Sequence, residues 1–279
     1  MVLTKYGLER VLFRLGRSKH RHSFVLKGAL LLELWTKERH RPTRDADFLA
    51  YGPNDVQRFI DIFRDVCSSN FEDDGLSFDI EGIQAERVRE DADYAGIRLQ
   101  FTAHLGNIRI PIQIDVGFGD VVTPAPVRVE YPTLLNLAAP VLSAYPRETV
   151  VAEKFQTMIK LGMANSRMKD FHDLSSLAGL FAFDGAILAH ALAETFGRRK
   201  TDIPVEPPVA LTAEFCEDAS KRQQWAAFIQ RNRLYLAPLE LAEVVAAITA
   251  FLSPVLKSLA NRRVFTKTWS PGGPWAEHR

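Results

Sequence analysis

Two aspartates separated by one residue, Asp45 and Asp47, are the residues of this sequence most directly suited to chemistry. They begin the segment from Asp45 to Tyr51, in which polar and apolar residues alternate as in a half-buried strand. Successive side chains of a strand point to opposite faces, so both carboxylates should project from the same face. Like charges this close repel unless a cation lies between them, and Mg²⁺ or Mn²⁺ prefers hard oxygen ligands. The pair predicts a metal site; the alternative is a pair that points into solvent from an edge strand.

A third aspartate and a glycine turn favour the metal-site interpretation. Asp115 lies in the apolar strand from Ile112 to Val116, where an unpaired carboxylate would be costly to bury. Lys27 and Gly28 lie between a predicted strand and a predicted helix, and free backbone N–H groups at a helix start can hold a phosphate. Three carboxylates and a phosphate-binding turn are the components of two-metal phosphoryl transfer, in which the metals bridge the phosphates and activate the attacking hydroxyl.

The elements around these residues change from strands to helices along the chain. Strands are predicted over Leu76–Val88, Gly96–Leu105 and Ile108–Val116, and Pro111 should make the last of these an edge or bulged strand. Helices dominate after the Pro-rich stretch 123–126, including one long helix over Ala213–Arg231. This order indicates an α+β fold. We predict a catalytic part over 1–140, a mainly helical part over 141–268 and a loose tail over 269–279.

The composition excludes several classes of protein. Only Cys67 and Cys216 are present, far apart, so neither a disulfide framework nor a cysteine-rich zinc site is expected. The histidines lack the spacing of a zinc enzyme. The sequence contains no uninterrupted run of about 18 apolar residues, so no membrane span is predicted. We therefore expect a folded cytoplasmic protein without a membrane partner.

Charge is distributed unevenly along the chain. Residues 1–50 hold 11 Lys or Arg against 5 Asp or Glu, whereas residues 51–100 hold 5 against 12. Basic segments lie at 17–22, at 37–44 and near 262–267. Each is either a solvated loop or a surface for a polyanion such as RNA.

The spacing of these residues resembles that of the AbiEii/MenT-type nucleotidyltransferase toxins, a branch of the DNA polymerase β superfamily. Residues 24–30 resemble the family's glycine turn, and residues 41–48 resemble its R-x-[ST]-x-D-x-D signature. Residues 153–155 and 167–174 resemble its E-K and R-x-K-D-x-x-D-L segments. The resemblance extends over about residues 20–180. It departs at Ala29, where the family has a second Gly or Ser, so a hydroxyl contact to phosphate would be missing while the backbone N–H groups remain.

The resemblance implies a fold and an activity. The fold would be a polymerase-β-type mixed sheet flanked by helices, with a C-terminal helical part. The activity would be transfer of a nucleoside monophosphate from an NTP to a hydroxyl acceptor, with Mg²⁺ or Mn²⁺ as cofactor. The implied acceptor is the 3′ end of tRNA, and the implied partner is the antitoxin of a bacterial toxin–antitoxin pair. The alternatives are modification of a small molecule, as in aminoglycoside nucleotidyltransferases, modification of a protein, or nucleotide binding without catalysis.

The resemblance also implies roles for individual residues. Lys154 would neutralise triphosphate charge, and Asp170 would be needed for activity, besides the metal ligands Asp45, Asp47 and Asp115. The predicted nucleotide-binding residues are Lys27, Gly28, Ala29, Arg41, Thr43, Arg44 and Lys169. Each role has a plainer alternative: Lys154 as an exposed helix lysine, Lys169 and Asp170 as an ordinary helix start, and the arginines as solvated loop residues. The hydroxyl at the position of Thr43 is phosphorylated in some relatives; alternatively, Thr43 bonds only its own loop backbone.

Overall fold

The chain divides into two compact units. The computed structural model describes residues 2–36, 43–69, 73–91, 94–234, 238 and 240–277. The sheet unit comprises Met1–Asp120 and Pro126–Tyr145, and the helical unit comprises Val121–Ala125 and Pro146–Arg279. The α+β class predicted from the order of strands and helices is confirmed.

The sheet unit contains a mixed eight-stranded sheet with the order β3-β5-β6-β2-β1-β8-β7, and β4 also pairs with β5. Its strands are β1 (Phe24–Lys27), β2 (Asp45–Ala50), β3 (Leu76–Phe78), β4 (Gln84–Asp91), β5 (Tyr94–Leu105), β6 (Ile108–Phe118), β7 (Val127–Glu130) and β8 (Val141–Ala144). Its helices are α1 (Val2–Arg17), α2 (Ala29–Thr36) and α3 (Val56–Ser68).

The central strands have one apolar and one polar face, because their side chains alternate. Leu99, Ile112 and Ile114 are buried on the apolar face, and α1 packs against β6. The approach is close at Gly7, where an added Cβ would lie 2.7 Å from Ile112 Cδ1. The apolar residues of β6 thus anchor the strand that carries Asp115.

Two sequence predictions for this unit, both on strands, need correction. The single strand expected over Leu76–Val88 is two strands, because a turn intervenes in which the Gly82 N–H donates to Asp79 Oδ1 at 2.9 Å. The units divide after Tyr145, five residues beyond the predicted end of the catalytic part, and β8 stays in the same unit as its parallel neighbour β1. Strand β6 is central, between β5 and β2, but Pro111 lies before the first residue that pairs with β2, so a missing N–H is tolerated there.

The helical unit contains the helices α4 (Arg147–Leu161), α5 (Met168–Leu180), α6 (Gly185–Arg198), α7 (Ala213–Glu217), α8 (Ala219–Asn232) and α9 (Leu241–Ala260). A small sheet of the order β11-β10-β9 joins Phe183–Asp184 (β9), Thr268–Trp269 (β10) and Trp275–Ala276 (β11). The one helix predicted over Ala213–Arg231 is broken at Asp218, because the side chain of Asp218 accepts from the Lys221 N–H and begins a new helix.

Helix α9 is the core helix of this unit. Among the described helices, it alone has the length and apolar composition to cross a membrane, with 20 residues and a mean hydropathy of 1.5. Its apolar side chains, including Ile248, Phe251 and Leu252, are buried inside the unit, and it packs against α5 and α6. Its hydropathy is thus explained by burial in a protein core.

The C-terminal segment is anchored to the helical unit by Trp269 and Trp275, in contrast to the loose tail that its Pro and Gly content suggested. Trp269 is 3% exposed and donates its indole N–H to the Ala178 carbonyl at 2.7 Å. Its ring contacts those of Phe251 and Trp275, with centroids 5.0 and 5.4 Å apart. Large aromatic rings bury much apolar surface, so this cluster ties the end of the chain to the helical unit.

Candidate metal and nucleotide site

Three carboxylates converge where β2 and β6 lie side by side. The two strands are parallel, and Asp47 is the register partner of Asp115. Asp45 lies two residues earlier in β2, on the same face. One ligand oxygen of each aspartate lies within 4.8 Å of the other two. Asp115 is buried, whereas Asp45 and Asp47 are partly exposed. The register of one strand pair therefore builds the predicted three-carboxylate cluster.

Asp115 is held by two neighbouring polar side chains. Arg98 lies opposite it on β5. The guanidinium donates from Nε to Oδ1 at 2.8 Å and from Nη2 to Oδ2 at 2.9 Å. The amide of Gln113 also donates to Oδ2, at 3.1 Å. The hydrogen bond to Asp115 raises the pKa of Arg98, so this guanidinium remains charged and fixes the orientation of the carboxylate.

The glycine turn lies directly against the carboxylate cluster. Gly28 has a φ of 75°, and a Cβ at this position would overlap the carboxylate of Asp47. Helix α2 begins at the next residue, Ala29. The first backbone N–H groups of a helix lack partners within the helix and carry partial positive charge. The turn therefore brings anion-binding groups next to the carboxylates.

Lys27 is paired inside the sheet unit. Its Nζ donates to Asp120 Oδ2 at 3.1 Å, and it lies over the ring of Tyr145, 5.9 Å from the centroid. Both charged side chains are largely buried, with 10% and 7% exposure. Lys27 is thus near the cluster by register, because it pairs with Asp47, but its charge is already balanced by Asp120.

The loop before β2 supplies one hydroxyl and one arginine. The hydroxyl of Thr43 donates to Asp45 Oδ1, so Thr43 contacts a carboxylate of the cluster. Arg44 is exposed and adjoins Asp45 in sequence. Arg41 lies outside the described residues, as does most of the basic segment 37–44. The basic segment 17–22 precedes β1 and therefore lies at the end of that strand opposite to Gly28.

A second cluster of charges lies in the helical unit, between α4 and α5. Lys154 Nζ lies 2.8 Å from Asp170 Oδ1 and 2.7 Å from Asp173 Oδ2. Arg167 Nε donates to Asp170 Oδ2 at 2.6 Å. Burial alone would raise the pKa of Asp170, but Lys154 and Arg167 outweigh it and lower that pKa. Two cations therefore meet two buried carboxylates, and the contacts with both carboxylates orient Lys154.

The neighbours of this cluster explain two other residues of the segments singled out in the sequence. Glu153, beside Lys154, contacts Arg199 Nη2 at 3.3 Å through Oε2, so the E-K pair joins α4 to the end of α6. Lys169 is exposed on the first turn of α5. The structure thus brings Lys154 and Asp170 into direct contact within the helical unit and leaves Lys169 on its surface.

Sequence reasoning missed Arg98, Gln113, Asp120 and Asp173. The signal for Arg98 was present. Gly106 and Asn107 form a two-residue turn that pairs Leu105 with Ile108, and the same count places Arg98 opposite Asp115. No comparable signal relates Asp120 to Lys27, because that pair depends on the order of nonconsecutive strands.

The cluster suits a divalent ion by its donor set. Three carboxylates supply hard oxygen ligands of the kind that Mg²⁺ and Mn²⁺ prefer. Asp115 retains acceptor capacity beyond the bonds from Arg98 and Gln113, since an ionised carboxylate offers about four lone-pair sites. The residues present therefore fit the cofactor expected for phosphoryl transfer.

Comparison with known proteins gives a family and a fold. The family model described as "Nucleotidyl transferase AbiEii toxin, Type IV TA system" matches residues 10–248. The solved structure of MenT4, a nucleotidyltransferase toxin from Mycobacterium tuberculosis H37Rv, is 14% identical, with coverage of 94% of this chain and 92% of that one, and a TM-score of 0.53. That of JHP933 from Helicobacter pylori is 11% identical, with 94% coverage of each chain and a TM-score of 0.47. A comparison with curated proteins found no match. The likeness to MenT4 concerns the fold.

Proposed function

Because this chain belongs to the AbiEii family of nucleotidyltransferase toxins, we propose that it transfers a nucleoside monophosphate from an NTP to the 3′ end of tRNA. Family membership establishes a nucleotidyltransferase of a type IV toxin–antitoxin family, with an NTP as donor and an antitoxin as partner. The observation that best supports the proposed reaction is the convergence of Asp45, Asp47 and Asp115 to within 4.8 Å. The Gly28 turn beside them adds backbone donors suited to phosphate.

The three aspartates are proposed to hold Mg²⁺ or Mn²⁺. When bound, such ions would supply Lewis-acid charge that favours ionisation of the attacking hydroxyl and stabilises the negative charge of the in-line displacement. Arg98 and Gln113 keep Asp115 in one orientation. The acceptor hydroxyl gives up its proton to solvent, its oxygen forms a bond to the α-phosphorus, and the bond from that phosphorus to the leaving pyrophosphate breaks.

The nucleotide is proposed to contact Gly28, Ala29, Thr43 and Arg44. The backbone at the start of α2 binds phosphate oxygens, which compensates for the absence of a side-chain hydroxyl at Ala29. Arg44 is exposed beside Asp45 and can pair with an anion that reaches the cluster. Lys27 is proposed to act beside them and to hold the turn through its ion pair with Asp120.

Lys154 and Asp170 are proposed to serve the same reaction, as the resemblance implies. Lys154 would neutralise triphosphate charge, and Asp170 would orient it. The bonds from Lys154 to Asp170 and Asp173 support this division of roles, because they limit the positions that the ammonium group can take. Lys169 is exposed and can assist in binding a polyanion.

A transfer assay distinguishes the possible acceptors. The full chain would be incubated with Mg²⁺, total tRNA and each radiolabelled NTP in turn. Label in tRNA would support the proposal and identify the donor. Label only in a small molecule or a protein would show that tRNA is not the acceptor. No label in any of these, from a folded preparation freed of its antitoxin, would contradict the proposed reaction. We expect the reaction to take place in the cytoplasm, where tRNA and NTPs occur together.

A further inference from the structure

Arg98 is the cation that contacts Asp115 in the described part of the chain. Its two donors meet the two oxygens of Asp115 at 2.8 and 2.9 Å. This paired geometry is the strong form of an arginine–carboxylate contact. We propose that Arg98 is a positioning residue that holds Asp115 and balances its charge, and so limits divalent-ion binding by the free protein. The inference rests on the proposed function, since it assumes that the three aspartates bind a metal ion.

The exposure of the pair argues against a role confined to stability. The side chain of Arg98 is 36% exposed, whereas that of Asp115 is 9% exposed. Solvent around the exposed guanidinium screens part of the contribution that this pair makes to folding. Arg98 also affects a neighbouring ion, because one cation beside a cluster of carboxylates changes the charge that an incoming metal meets.

Arg98 also has a second carboxylate within its row of the sheet. Its register partner on β4 is Glu86, and its register partner on β6 is Asp115. Directly opposed residues of neighbouring strands share a face. The guanidinium therefore lies between two acidic positions of the same face. Glu86 provides an alternative partner when the charge on Asp115 is taken up by a metal ion that arrives with the NTP.

The consequence is an order of binding, in which the NTP binds before the metal site is fully occupied. In the free protein, Arg98 donates to both oxygens of Asp115, so an ion that coordinates Asp115 must use its remaining lone pairs beside the positive charge of the guanidinium. The negative charge of a bound triphosphate favours further cations, and full occupation of the cluster then follows binding of the NTP.

The experiment measures Mn²⁺ binding to the full chain by calorimetry and by electron paramagnetic resonance, at low ionic strength and without nucleotide. Arg98→Gln should bind Mn²⁺ about tenfold more tightly than the unchanged protein, since removal of one adjacent charge has an effect of this order on a carboxylate site. Arg98→Lys should give an intermediate affinity, because lysine keeps the charge but cannot make the bidentate contact.

Two controls separate this effect from general changes. Arg109→Gln removes an equal charge from the exposed part of β6, six residues from Asp115, and should leave the Mn²⁺ affinity unchanged. In an Asp115→Asn background, Arg98→Gln should have a smaller effect than in the unchanged protein, because the proposed competition takes place at Asp115. Thermal unfolding verifies that each variant is folded, and Arg98→Lys carries the test if Arg98→Gln fails to fold.

The outcomes distinguish this inference from the function on which it rests. Unchanged Mn²⁺ affinity in the folded Arg98 variants, together with loss of binding in Asp45→Asn, would overturn the role of Arg98 and leave the metal site standing. Equal Mn²⁺ binding by Asp45→Asn and the unchanged protein would overturn the metal site itself.

Discussion

Gly28 and Asp47 approach each other so closely that a single methyl group at Gly28 would overlap the Asp47 carboxylate. Gly28 also has a φ of 75°, a conformation that L side chains rarely adopt. The two residues are adjacent in space because Lys27 is the register partner of Asp47 on the neighbouring strand. The glycine turn and the carboxylate cluster are therefore one structural unit, and a change in the first should displace the second.

The first prediction is that Gly28→Ala reduces nucleotide transfer by about 10²-fold, because an error of about 1 Å in the position of a catalytic group has an effect of this size. Gly179→Ala is the matched control, since a Cβ there meets no atom within 4 Å. The initial rates of label transfer by the two folded variants provide the measurement. Transfer by Gly28→Ala at the rate of the control would show that the turn tolerates a side chain.

The second prediction concerns Thr43, whose hydroxyl donates to Asp45. Thr43→Glu places a carboxylate where a donor was, and should lower the rate of transfer about tenfold or more through repulsion. A phosphate would act in the same direction, with about −1.5 to −2 charges. Thr43→Ser keeps the hydroxyl and should retain most of the rate. Equal rates for the Glu and Ser variants would exclude the electrostatic mechanism.

The third prediction separates two effects of Lys154. Lys154→Ala leaves Asp170 and Asp173 without their shared cation and should lower the free energy of unfolding by about 3–5 kcal/mol. It should also slow transfer about 10²-fold, as expected for a well-placed cation. Lys154→Arg should restore stability more fully than rate. Lys160→Ala, at an exposed position of the same helix, should change neither the free energy of unfolding nor the rate of transfer. An equal loss of rate in that control would contradict a specific role of Lys154 in the reaction.

The fourth prediction is a pH dependence of stability that originates at Asp74. Burial opposes ionisation of this carboxyl, but hydrogen bonds from Arg14 and Arg10 outweigh it and hold its pKa below the ordinary value of 3.8. A lowered pKa in the folded state contributes stability that is complete above that ordinary value and is lost as the pH falls through the folded-state pKa.

Asp74→Asn should therefore lower the free energy of unfolding by about 3–5 kcal/mol at pH 7 and by less in acid, below the ordinary pKa. Asp73→Asn, its exposed neighbour, is the control and should have little effect at either pH. Urea unfolding at pH 7 and near pH 3 gives both values. A loss for Asp74→Asn that is as large in acid as at neutral pH would contradict the assignment.

Much of the sheet unit could be predicted from local patterns. The alternation of side chains along a strand placed Asp45 and Asp47 on one face. The cost of burying a carboxylate in an apolar strand identified Asp115 as a site residue. The two-residue turn at Gly106 and Asn107 even contained the register that opposes Arg98 to Asp115. These features depend on residues close in sequence or on one hairpin, and such information is present in a single chain.

The remainder depends on contacts between distant segments. Asp74 adjoins Asp73 in an acidic run and reads as exposed, but it is buried against Arg10 and Arg14, which lie one helical turn apart on α1. The sequence of the short strand β8 has no strong strand pattern. Its pairing with β1, a segment distant in sequence, places it in the sheet. The pairing of Lys154 with Asp170 likewise follows from the packing of α4 on α5.

The fifth prediction concerns the three-carboxylate cluster itself. In a single-turnover assay with labelled NTP, the double variant Asp45→Asn/Asp47→Asn should transfer no label above background, because both partly exposed ligands are lost while the core remains closed. Asp61→Asn, on the exposed surface of α3, should transfer at the full rate, and a chelator should stop the unchanged protein until Mg²⁺ or Mn²⁺ is restored. A folded double variant that still transfers label would contradict the assignment of Asp45 and Asp47 as the metal-binding carboxylates of this enzyme.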